Sequence, residues 1–171
     1  SLFYAAEVSL NLGDGLPPDY DTYGFNVQSS NTWGFDSLIL NNTRPFFSDP
    51  QVRQALSYAL NRQGYIDQYQ PLATPAYAWL PPDHPQYTPG SANEYPFNLA
   101  TAAGLLDAAG WVDTNANGIR DKDGVEFEFD IPVFADNWRR PLYVMFQADL
   151  STLGVDVNLV DYPDFWSMLE A

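Results

Sequence analysis

The sequence predicts an α/β fold, a mixed sheet with packed helices. Three runs carry that reading. Val52, Ala55, Leu56, Ala59 and Leu60 recur at helical spacing and make one apolar stripe. Residues 125–131 alternate apolar and acidic side chains without interruption, the pattern of a half-buried strand. A helical run that stops at Gly154 then leads directly into the Val-rich residues 155–160.

The elements follow in order. Leu2, Tyr4, Val8 and Leu10 can build one short strand, which the Gly, Pro and Asp residues of 13–19 end. Residues 23–28 and 35–40 read as an antiparallel pair turning at 29–31. The first helix starts at Ser48-Asp49-Pro50, where either Ser48 or Asp49 can accept from free N–H groups and proline sits where its missing N–H has no partner. Arg53, Gln54 and Arg62 fall off its stripe, so the helix should bury one face, on a sheet. Residues 70–97 carry seven prolines and are expected to form a long loop with no regular element. Its interleaved Tyr77, Trp79, Leu80, Tyr87 and Tyr95 either pin that loop to the body or form the aromatic rim of a ligand cleft. A second helix covers 99–109, capped by Asn98 and stopped by Gly110. A third runs from Arg139 or Pro141 to Leu153, and Asp164 opens another after the last strand.

Composition removes several functions. Seven Lys and Arg stand against 22 Asp and Glu, a net charge of −15, which argues against binding nucleic acid or an anionic membrane. No cysteine is present, so thiol nucleophiles, disulfides and Cys-ligated zinc are excluded. No apolar run reaches the roughly 20 residues of a membrane span. The chain opens without a signal peptide and reads as a mature or trimmed form.

One motif has metal-ligand spacing. Asp113, Asn115 and Asn117 occupy positions one, three and five of a calcium-type loop, and Gly118 takes the sharp turn at six. The carbonyl of Ile119 and the carboxylate of Asp121 would complete positions seven and nine. Position twelve is Gly124, where a bidentate Glu belongs, so the expectation is weak Ca²⁺ binding or a plain Asn-Gly turn into the next strand. Ca²⁺ is the sole cofactor considered, and none is required. Catalytic signals are lacking. His84, the single histidine, lies in a Pro-rich loop and is expected to be exposed. Glu126, Glu128 and Asp130 read as the wet face of a strand rather than an acid–base pair.

Residues 38–62 are specific. Asn41, Pro45, Phe46, Asp49, Val52, Arg53, Ala55, Leu56, Ala59 and Arg62 resemble the signature of bacterial extracellular solute-binding proteins of the dipeptide/oligopeptide-binding family. Asn61 stands where that family usually has Asp, and Leu60 where it has Ile. Leu105, Leu106, Ala109, Gly110 and Trp111 are similar to a second family run, Gly154 to Val157 to a third, and Ala6 to Leu10 to an upstream one. The resemblance implies that 1–171 is a single periplasmic-binding-protein type lobe, most of the C-terminal α/β lobe of a two-lobed protein. It implies a non-enzymatic component of an ABC importer that captures peptides or similar small solutes between lobes. The implied partners are an ABC permease and the N-terminal lobe of the same protein, and the implied place is the cell surface, as a lipoprotein, or the periplasm. A ligand-contacting segment of the family comes shortly after residue 171, so this stretch alone is expected to bind weakly or not at all. Tyr77, Trp79 and the stretch Asn137, Trp138, Arg139 and Arg140 are the cleft candidates, because they lie in a loop and at a strand-to-helix junction. Arg44, Asp49 and Arg53 are expected to be structural. The competing readings are a secreted carbohydrate-active enzyme domain, which needs a carboxylate pair in a groove, and a calcium-stabilised interaction module.

Overall fold

The computed structural model describes residues 38–69, 75–78, 80, 84–88, 94–135 and 139–170. The expected strands at 2–10 and 23–28 lie outside them. The elements run α1 (Pro45–Ser48), α2 (Pro50–Ala59), α3 (Arg62–Tyr69), α4 (Leu99–Ala108), β1 (Asp121–Lys122), β2 (Val125–Glu126), β3 (Glu128–Phe134), α5 (Arg140–Thr152), β4 (Asp156–Tyr162) and α6 (Phe165–Leu169). Among the described residues the strands form two small sheets rather than one mixed sheet. β1 and β2 make an antiparallel hairpin; β3 and β4 pair in parallel from Glu128↔Asp156 to Phe134↔Tyr162. Parallel neighbours need a crossover, and α5 supplies it and packs on β4.

Capping fixes the helices. Asp49 accepts from the Gln51 N–H at 2.8 Å and starts α2; Ser48 is instead the last residue of α1, its hydroxyl donating to the Pro45 carbonyl. Val52, Ala55, Leu56 and Ala59 are buried, as the stripe requires. Among the described residues they pack chiefly against α4, with a smaller contact to α5, and share one core cluster with Phe127, Ile131 and Val133. The helix, whose apolar stripe reaches Leu60 in the sequence, ends at Ala59. Leu60 turns extended, and the Asn61 side chain accepts from the Gly64 N–H at 2.9 Å, which starts α3 afresh. Asn and Asp cap equally well, so the substitution at 61 costs the junction little. Residues 38–40, expected to end a strand, are not in one: Ile39 is 87% exposed while Leu38 and Leu40 lean on the core.

α4 and α5 end alike. The Trp111 N–H donates to the Leu106 carbonyl and Gly110 to Asp107; the Val155 N–H donates to Leu150 and Gly154 to Ser151. Each is a Schellman motif, and each places a glycine at positive φ, +84° at Gly110 and +72° at Gly154. The chain leaves each helix into a buried apolar residue, Trp111 or Val155.

The 125–131 alternation is broken at its start. Val125 belongs to the hairpin and is 48% exposed, whereas Phe127, Ile131 and Val133 are buried. Phe127 is fully buried and is the centre of an aromatic cluster, with ring centroids at 4.7 Å from Trp111 and 5.3 Å from Phe46. Phe47 meets Phe129 edge to face at 5.1 Å. Such pairs add to burial, so α1 is held on β3 largely by rings.

Candidate functional site

In open α/β folds, ligands bind in the crevice outside the carboxyl ends of parallel strands. Here that edge lies at Phe134 and Tyr162, where the Ala135 N–H still donates to the Tyr162 carbonyl at 2.9 Å. Two ion-pair and capping contacts shape it. Arg140, the first residue of α5, grips the Asp161 carboxylate through both guanidinium nitrogens, Nη2 reaching Oδ2 at 3.2 Å. Hydrogen bonding to that guanidinium, with its charge, holds the Asp161 carboxyl below its ordinary value and Arg140 above its own. Asp164 accepts from the Trp166 and Ser167 N–H groups and the Ser167 hydroxyl, and these bonds likewise lower its pKa. The cap directs α6 so that Phe165 packs on Phe134 at 5.6 Å and Trp166 stands 71% exposed.

Arg139 is the residue before α5, at this same edge. Asn137 and Trp138, expected beside it, lie outside the described residues, as does Trp79. Tyr77 is described: its ring lies under Arg62, with the guanidinium carbon 5.3 Å from the centroid. Arg62 opens α3, and α3 packs on α5, the helix that starts at Arg139. Among the described residues between 70 and 97, none is helical or in a strand. Sequence reasoning placed Arg140 in the candidate stretch 137–140 but missed Asp161, Phe165 and Trp166. The signal available was a strand followed by Asp-aromatic-Pro-Asp-aromatic at 161–165, which marks a strand end turning into a capped helix.

The loop with metal-ligand spacing sits at the other end of the sheet. Arg120 and Phe127 lead into the amino end of β3, and the Arg120 N–H donates to the Gly154 carbonyl just before β4. Seven-residue strands separate that end from the crevice by about 20 Å. The loop's oxygens are engaged with the loop itself. Asp113 accepts from the N–H groups of Asn117 and Gly118, Asn115 from Asn117, and Asn117 from Ile119. Asp121 turns away from them: both its oxygens take bonds from Thr114, the hydroxyl at 2.7 Å and the N–H at 2.8 Å, which lower its pKa. Among the described residues no three His, Asp or Glu side chains converge on a metal position. A shallow cavity of about 670 Å³ borders this loop, lined by Phe46, Thr114, Asp121 and Glu126 among others.

What the loop does hold is helix ends. Arg120 donates through Nε to the Leu153 carbonyl at 2.6 Å and through Nη1 to the Trp111 carbonyl, and pairs with Asp107. Lys122 donates to the Ala109 carbonyl at 2.7 Å. Two cations thus satisfy carbonyls where α4 and α5 end, the pole that favours positive charge. The remaining acids have local work. Glu126 accepts from the Asn117 amide and Glu128 from the Asn158 amide, so neither is a spare acid–base group. His84 accepts at Nδ1 from the Gln86 N–H in a local turn and is partly exposed rather than fully so.

Comparison with known proteins decides the family. The model of bacterial extracellular solute-binding proteins, family 5 Middle, matches residues 8–170. The chain belongs to that family. It is 32% identical over 122 residues to oligopeptide-binding protein AppA of Bacillus subtilis, covering 69% of this chain and 22% of that protein. The structure of AppA with a nonapeptide superposes with a TM-score of 0.69 at 32% identity, over 76% of this chain and 26% of that one. The nickel-binding periplasmic protein of Escherichia coli is 27% identical over 171 residues, covering 92% of this chain and 32% of that protein. The chain thus spans about a fifth to a third of the length of these relatives.

Proposed function

We propose that this chain is one lobe of an ABC importer's solute-binding protein, which captures a peptide or similar small solute and hands it to a permease without chemical change. The observation that carries the reading is the agreement with AppA in both sequence and fold, AppA being named for oligopeptide binding and solved with a nonapeptide. The crevice at Phe134 and Tyr162, with Arg139, Arg140 and Trp166 around it, is the part of this lobe that would face the solute. Its chemistry suits an extended peptide: an aromatic face for a side chain beside the paired, polar Arg140–Asp161 edge. Tyr77 and Trp79 would add the aromatic rim, with Asn137 and Trp138 beside Arg139. The second lobe would close over the ligand by hinge motion and exclude water from these contacts. Family membership implies a place outside the cytoplasm, and the permease partner implies tethering there as a cell-surface lipoprotein or retention in a periplasm. Native mass spectrometry of the complete polypeptide purified without refolding tests the reading. Copurified peptides of a narrow length range support it; a bound sugar or metal complex would keep the fold and change the cargo. Calcium at Asp113, Asn115, Asn117, Ile119 and Asp121 would have to displace the bonds described above and so would bind weakly, at about 10⁻⁴ to 10⁻³ M.

A further inference from the structure

We infer that Arg62 is a clamp that ties both ends of the 77–95 stretch to the helical body and thereby positions Tyr77 at the ligand rim. Three contacts converge on one guanidinium. Its Nη1 donates to the Ser57 carbonyl in α2 at 3.0 Å and to the Tyr95 carbonyl at 3.4 Å. Its central carbon lies over the Tyr77 ring, 5.3 Å from the centroid. Tyr77 and Tyr95 flank a proline-rich stretch in which none of the described residues is in a strand or helix, and both reach the body through Arg62. The Tyr95 end has further support: its ring packs edge to face on Tyr58 at 5.2 Å, and the Asn98 N–H donates to the Tyr58 carbonyl at 2.9 Å. The Tyr77 end rests its ring on Arg62.

The group suits the task. A planar guanidinium can donate in its plane while its face stacks on a ring, which an ammonium cannot do at once. Burial has already removed much of its water, which lowers its pKa, so the carbonyls and ring replace hydration that is lost in any case. Arg62 is the first residue of α3, just after the break at Leu60–Asn61, and from there it reaches both the Ser57 carbonyl of α2 and the Tyr95 carbonyl. The consequence for function rests on the reading above that Tyr77 borders the solute. A rim held in place before the ligand arrives spares binding the entropy of ordering it. Arg62 would then strengthen binding without touching the solute.

The test uses the complete polypeptide as wild type, Arg62→Met, Arg62→Lys and Tyr77→Leu, with hydrogen exchange and calorimetric titration of a mixed nonapeptide pool. In Arg62→Met, exchange within 75–97 should quicken about tenfold or more, the scale of losing charged hydrogen bonds, while 128–134 and 156–162 keep their rates. Arg62→Lys should recover part of that slowing, and peptide affinity should fall severalfold in Arg62→Met and Tyr77→Leu. Unchanged exchange at 75–97 in Arg62→Met overturns the clamp, and so does a rise shared equally by the strands, which would make Arg62 an ordinary stabilising residue. Faster local exchange with unchanged affinity overturns the positioning role. Wild type that binds no peptide refutes the peptide reading instead, and the exchange result still decides the clamp.

Discussion

Removing Arg120 should loosen the junction between α4 and α5 more than any exposed ion pair could. The side chain is only 14% exposed, and it donates to the Leu153 and Trp111 carbonyls besides pairing with Asp107. Arg120→Ala leaves two carbonyls without their donor, Leu153 at the end of α5 and Trp111 just past the end of α4. A hydrogen bond from a charged group contributes about 1.5–3 kcal/mol, and water entering the gap would return part of two such bonds, so a loss of about 2–4 kcal/mol is expected. The Asp107 partner is 57% exposed, and an exposed pair contributes about 0–1 kcal/mol, so Asp107→Asn should cost much less. Scanning calorimetry of the complete polypeptide, read at the transition of this lobe, gives both numbers. For a lobe of this size the Arg120→Ala midpoint should fall by about 5–15 °C. A fall no larger than that of Asp107→Asn would show that the carbonyl contacts do not hold the junction.

Four further outcomes follow from the same structure. Gly154→Ala should destabilise by about 1–3 kcal/mol, since φ is +72° and a Cβ would meet the Gly118 carbonyl oxygen at 3.0 Å; Gly104→Ala, exposed in α4 with nothing within 4 Å, should stabilise by about 0.5–1 kcal/mol. Denaturant midpoints separate the two. Asp121, Asp161 and Asp164 have folded pKa values below their unfolded ones, so their contribution is complete above the ordinary carboxylate range and lost as pH falls through the folded values. Melting should be level near neutrality and drop below about pH 4, and Asp121→Asn should flatten the drop. Asp149 is shifted the other way by burial, and it lies in the last turn of α5 where negative charge is unfavourable, so Asp149→Asn should raise the midpoint slightly at pH 7 and lose that gain in acid. Calcium added to chelator-treated protein at about 10 μM should leave the midpoint unmoved, since the loop's oxygens are hydrogen-bonded; a saturating rise there would assign a tight site to the 113–121 loop.

Punctuation carried most of what was legible in the sequence. Asp49, Asn98 and Asp164 start helices as caps, and Gly110 and Gly154 end them, because each residue satisfies backbone groups the helix cannot. Where punctuation was weak, the reading slipped. α3 buries only Tyr65 and so presents no stripe, which left residues 63–69 unassigned. The alternation at 125–131 is real in sequence, but the chain leaves the hairpin at Phe127, so Val125 points to water. The site was legible as a type of place, a strand-to-helix junction at Arg139, and not as its shaping contacts, since Arg140 and Asp161 are 21 residues apart and meet only through the parallel register. Arg120 and Lys122 were hidden by the loop they belong to: its oxygens match a cation's needs, and its two cations, which hold the helix ends, fall outside that pattern. Arg62 was legible as an off-stripe residue and a signature match, but its contacts with Tyr77 and Tyr95, 15 and 33 residues away in sequence, were not.

Solute capture is tested most directly by melting the complete polypeptide with and without a mixed peptide pool, then recovering the peptides. A ligand that binds only the folded state raises the midpoint in step with its concentration, by about 2.7 kcal/mol of added stability at a hundredfold excess over Kd. The account predicts that rise with peptides, and peptides recovered intact. No rise with peptides, sugars or nickel complexes, or peptides recovered cleaved, would contradict it.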